Sequence, residues 1–114
     1  MIIRVLQATI VPRRSADFHR FVIEEGLPGL RGHDGLIDVY MGLRSEGTEE
    51  TGVIVSVWRD WDALADAVGP DPSRPYLLTP ETGIVSSVQI MHFEALDTGF
   101  DEGGVVEAGG RVSA

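Results

Sequence analysis

The sequence predicts one α+β domain whose elements run strand, helix, strand, strand, helix, strand. Three observations carry that expectation. Four short stretches are dense in β-branched and aliphatic residues, two segments between them place apolar residues at helical spacing, and clusters of Gly, Pro and Asp separate the pieces. At 114 residues the chain also has the length of one domain.

The first strand covers residues 2–11 and stops at Pro12. One of its faces carries Ile3, Val5, Gln7, Thr9 and Val11; the other carries Arg4, Leu6, Ala8 and Ile10. Ser15 offers a helix N-cap, with Asp17 well placed in the first turn. Phe18, Phe21 and Val22 form the apolar stripe of that helix, which is expected to fade near Gly26 because Pro28 disfavours continuation. Glycines at 26, 29, 32 and 35 then suggest an irregular connection to the next strand. A phosphate-cradling loop would need the opposite order, strand before and helix after.

Leu36 to Leu43 reads as the second strand and Gly52 to Trp58 as the third, joined by a polar hairpin loop over 44–51. Asp60 or Asp62 can cap a short helix whose stripe is Trp61, Leu64, Ala65 and Val68, closed by Gly69 and Pro70. A Pro-broken stretch over 70–80 leaves room for one more helical turn at Thr79-Pro80-Glu81. Residues 84–96 form the last strand. From Asp97 onward, five glycines and four acids against one Arg mark a flexible acidic tail, so the expected division is a domain over 1–96 and a tail over 97–114.

This order is the βαββαβ arrangement of ferredoxin-like folds, a four-stranded antiparallel sheet with both helices on one face. The other face is left open. With Leu6, Ala8 and Ile10 assigned to that side, a second copy of the chain is the expected cover, paired sheet to sheet.

Composition narrows the chemistry. All nine basic residues are Arg, and the chain contains no Lys, Cys or Asn. A lysine Schiff base, a thiolate nucleophile, a disulfide and a Cys-ligated metal are thereby excluded. Eighteen acids give a net charge of −9. So acidic a surface repels phosphate backbones and anionic headgroups, so neither nucleic acid nor membrane is an expected partner. No stretch approaches the ~20 apolar residues of a spanning helix. The start lacks the basic and apolar regions of a secretion signal, which makes the cytoplasm the expected location.

Three local patterns, in this order and spacing, resemble the antibiotic biosynthesis monooxygenase family of dimeric α+β barrels. The first strand ends in Val11-Pro12. The first helix leads into Pro28-Gly29-Leu30 and Gly35-Leu36-Ile37-Asp38-Val39. The third strand, Val55-Ser56-Val57-Trp58, runs into Asp60-Trp61-Asp62-Ala63-Leu64. The resemblance spans residues 1–96 and implies a homodimer with a pocket between the helices and the sheet of each subunit. It implies a small aromatic or apolar ligand. Such barrels oxygenate quinols without a cofactor, degrade haem, isomerise, cyclise polyketides or simply bind, so the fold leaves the chemistry open. The haem-degrading branch uses an Asn, a Trp and a His ligand; here Gln7 and Ala67 align with the first two, and no His lies between Trp58 and Met91.

Gln7 is a polar side chain on an otherwise apolar strand face, either satisfied by a backbone group or in contact with a ligand, and the resemblance places it at the pocket. His92, among Ile90, Met91 and Phe93, has the chemistry of a general base, or is a strand histidine satisfied by a neighbour. Tyr76 sits in the Pro-rich stretch, a candidate lid, and is the second candidate catalytic group. Trp58 and Trp61 flank the exit of the third strand, as core aromatics or as walls of a substrate pocket. Arg4, Arg59 and Arg74 could clamp an anion, against the ordinary reading of surface pairing with the surplus acids. His19 and His33 read as surface or turn residues, and the three histidines show no metal-ligand spacing.

The expected function is a cofactor-independent monooxygenase acting on a small phenolic, quinol or polyketide-like substrate with O2, needing neither metal nor flavin. The alternatives are a proton-transfer isomerase or polyketide cyclase on the same fold, and a non-catalytic ligand-binding or stress-response barrel.

Overall fold

The computed structural model describes residues 1–75 and 78–98. Its strands are β1 (Ile2–Ile10), β2 (Leu36–Glu46), β3 (Glu49–Trp58) and β4 (Val85–Glu94). They form one antiparallel sheet in the order β2-β3-β1-β4. Helices α1 (Ser15–Phe21), α2 (Leu27–Arg31) and α3 (Trp61–Val68) supply the other layer. The result is the ferredoxin-like α+β topology the sequence predicts.

The faces of β1 are the reverse of the expectation. Ile2, Leu6, Ala8 and Ile10 are buried in the core beneath the helices. Gln7 is exposed on the open face, with Ile3 and Val5 beside it. Both sets are mostly apolar, so alternation alone does not say which one meets the helices. The polar Gln7, and not the apolar trio, marks the uncovered side.

The turn from β1 into α1 is a type II turn closed by Arg14 N–H donating to the Val11 carbonyl at 3.0 Å. Pro12 fits its first central position, and Arg13 takes the second with φ of 70°. That turn sets Arg14 at the N-cap, and Ser15 becomes the first helical residue with no side-chain cap. Asp17 instead braces the helix start through ion pairs with Arg14 and Arg20.

The first helix does not fade at Gly26. It passes through a π-helical segment, Val22–Gly26, and continues as α2 to Arg31, with Pro28 in the first turn of α2. The wider π turn accommodates a residue without an N–H, whose ring would otherwise clash with the preceding turn. The glycine-spaced stretch is therefore partly helical.

The β2–β3 hairpin is longer and tighter than the expected polar loop. Strand pairing runs out to Glu46 and Glu49, and the turn is Gly47-Thr48 alone. Gly47 has φ of 63° at the first central position, as a type II′ turn requires. At the start of α3 the Asp60 carboxylate accepts the Ala63 N–H at 2.8 Å. Its buried face is Ala63, Leu64, Ala67 and Val68; Trp61, expected in the stripe, is 45% exposed. The helical turn expected at Thr79-Pro80-Glu81 is a 3-10 turn over Pro80–Thr82. Of the expected tail only Asp97 and Thr98 fall within the described residues.

Candidate functional site

One row of the sheet's helix side is polar. The pairing places Val39, Ser56, Arg4 and His92 side by side across β2, β3, β1 and β4. The next row is Met41, Ile54, Leu6 and Ile90, all apolar. The three polar residues thus form a band inside an otherwise apolar layer.

Ser56 and Arg4 are both buried, and Arg4 is 4% exposed. The Ser56 hydroxyl oxygen accepts the indole N–H of Trp58 at 2.9 Å. Arg4 is less well served. Its Nη2 donates to the Arg74 carbonyl at 3.4 Å, and its Nε has no partner. Among the described residues no carboxylate pairs with it. Burial without a counter-charge disfavours the protonated guanidinium and lowers its pKa. Yet a guanidinium stays charged in proteins, so an unpaired cation is held at a cost of several kcal/mol.

Arg4 lines a cavity of about 40 Å³ between the sheet and the helix that runs through Val22–Gly26. Leu6 and Ile54 form its floor, Phe21, Val22 and Leu30 its helical wall, and Leu78 closes part of it. That volume accommodates a carboxylate-sized group, since on this measure a single water needs roughly 10–15 Å³.

His92 stands next to Arg4 on β4. Its Nε2 is buried with no hydrogen-bond partner. Burial and, after it, the Arg4 charge push its pKa below the usual 6.5, so the ring is neutral at pH 7. The indole of Trp61 covers it, with ring centroids 5.3 Å apart at a 56° tilt. A neutral imidazole with an unpartnered nitrogen is a proton acceptor, and burial and the Arg4 charge weaken it as a base.

No protein-family model matches the chain, and no curated protein matches its sequence. Solved structures do match. SnoaB, a cofactor-independent oxygenase from Streptomyces nogalater, is similar with a TM-score of 0.61 and 22% identity, over 85% of this chain and 94% of its own. A Bacillus cereus protein assigned to the antibiotic biosynthesis monooxygenases gives 0.60 and 15%, over 89% and 98%. PA3566 from Pseudomonas aeruginosa gives 0.63 and 16%, over 84% and 94%. The chain shares its ferredoxin-like α+β fold with these proteins.

Within that fold, the sequence-predicted site residues scatter. His92 and Trp61 come together. Trp58, fully buried, packs with Ile2, Leu30 and Leu64 and has no surface to offer a ligand. Gln7 lies on the opposite side of the sheet, in a shallow groove with Gly42, Arg44 and Val53. Tyr76 lies outside the described residues. His19 is exposed, and His33 meets the edge of Trp58 at 6.4 Å. Arg59 pairs with Asp60 on the surface, whereas Arg4, given the same ordinary reading, is buried and unpaired. The signal for Arg4 was its position: one charge in the series Ile2, Arg4, Leu6, Ala8, Ile10. Among the described residues no three His, Asp or Glu side chains come together as a metal site.

Proposed function

We propose that the protein is a cofactor-independent monooxygenase of a small phenolic or quinol substrate. The observation that carries this reading is the neutral, unpartnered Nε2 of His92 beside the buried Arg4. His92 takes the acidic proton of the substrate and leaves an electron-rich carbanionic ring. A ring carbon of that anion bonds to one atom of O2, and the O–O bond then breaks. One oxygen stays as a new carbonyl, the other leaves as water, and the ring loses two hydrogens, so the substrate is the only reductant. SnoaB, a cofactor-independent oxygenase of the same fold, supports the assignment. Oxygen uptake over a panel of quinols tests it. Uptake that His92→Ala reduces by ~10²-fold or more agrees with a general base; no uptake above that variant on any quinol rejects it.

A neutral base beside a cation also suits proton transfer alone, as in an isomerase or cyclase. Turnover that persists without O2 would select that reading.

The same proposal includes a homodimer. Tyr40, Met91 and Phe93 are exposed on the open face, where the pairing sets them in rows with Ile3, Val5, Val55 and Val57. A contiguous apolar face of this kind is covered by a second copy. Light scattering of the protein and of Phe93→Glu tests this: a dimer that becomes a monomer is expected, and a wild-type monomer at tens of micromolar overturns it.

A further inference from the structure

We infer that the ligand of the helix-side cavity is an apolar-bodied carboxylic acid whose carboxylate is bound by the guanidinium of Arg4. This deepens the oxygenase reading by naming a substrate class, and it rests on that reading only for the identity of the occupant as substrate.

Four observations converge on it. Arg4 is the one charged side chain buried among the described residues, and it lines the cavity. Acids outnumber bases eighteen to nine, yet none of the described acids pairs with this base. A buried cation that none of the described carboxylates pairs with is arranged for a carboxylate from outside the described fold. The edge of the guanidinium that forks onto a carboxylate is its Nε–Nη2 edge. There Nε has no acceptor, and among the described residues Nη2 reaches only the Arg74 carbonyl at 3.4 Å.

The surroundings fit such a ligand. Besides Arg4 the wall is Gly26 and the apolar side chains of Leu6, Phe21, Val22, Leu30, Ile54 and Leu78, and a cavity of about 40 Å³ takes the charged head while an apolar body extends outward. Ser56, the other buried polar neighbour, already accepts from Trp58. His92 flanks Arg4 on the next strand, outside the residues that line the cavity. A carboxylate bound at Arg4 offsets the charge that disfavours the His92 imidazolium.

Calorimetric titration of the full chain with 2-naphthoate and with its neutral isostere 2-naphthamide at pH 7.5 tests the inference. The naphthoate is expected to bind at least tenfold tighter than the amide, and Arg4→Met is expected to bring the two within threefold. Equal affinities in the wild type, no binding of naphthoate up to millimolar concentration, or a preference that survives in Arg4→Met would each overturn it. If Arg4→Met does not fold, the Nε–H resonance of Arg4 in the wild type supplies the second measurement. It is expected to shift on adding naphthoate and to stay put on adding the amide; an unmoved resonance at saturating naphthoate counts against the assignment. Binding is read without turnover, so its failure is distinct from an absence of oxygen uptake.

Discussion

The ring of Phe18 lies directly on the backbone of Gly52 and fills the space a side chain would take there. Gly52 sits opposite Ala8 on β1, so two small residues make a dent in the sheet that the buried Phe18 occupies. Gly52→Ala is expected to lower stability by about 1–3 kcal/mol through overpacking. Urea denaturation checks it. Adding Phe18→Leu should recover part of the loss in the double variant, because the two sites are in contact.

Trp58 and Ser56 form the second such pair. The indole N–H is buried and the Ser56 hydroxyl is its acceptor. Ser56→Ala leaves a buried donor unsatisfied and should cost about 1–3 kcal/mol. Trp58→Phe removes the donor along with part of the ring. The double variant should therefore lose less than the two single losses added together, as measured by denaturant midpoints.

His92 sets a pH dependence with a definite sign. Its pKa in the folded chain lies below the usual 6.5, because burial and then Arg4 disfavour the imidazolium. The unfolded chain takes up this proton first as pH falls. The stability linked to His92 is thus complete above about pH 6.5 and is lost as pH falls from there through the folded value. NMR titration of the ring should give a midpoint under 6.5. Trp61→Ala uncovers the ring and should move that midpoint upward. A midpoint at or above 6.5 in the wild type would contradict this environment.

Element order and sheet topology were legible because strong turn chemistry separates the elements: Pro12 ends β1, Gly69 ends α3, and Gly47 lies inside the stretch expected to join β2 and β3, although the strands pair closer to it than expected. The continuation of the first helix was not. Its buried residues are Phe18, Val22, Leu27 and Leu30. The step from Val22 to Leu27 is five residues, out of phase for an α-helix but in phase across a π turn. The face of β1 was misassigned because both faces are apolar enough to be core. His92 was legible as a chemical candidate, while Arg4 stood among three possible anion clamps with surface ion pairing as the ordinary reading, and only its burial sets it apart.

Strand β1 lies in the middle of the sheet, yet it is the first of the four strands in chain order. Ile2 pairs with both Trp58 and Glu94. Its partner on one side cannot form until nearly all of the described chain has been synthesised, and such long-range pairings slow folding. Until then β1 waits with one edge open, carrying Arg4. A chain cut short before β4 would lose His92, leave that edge open to other strands and be prone to aggregate, so the last strand of the sheet protects its central one.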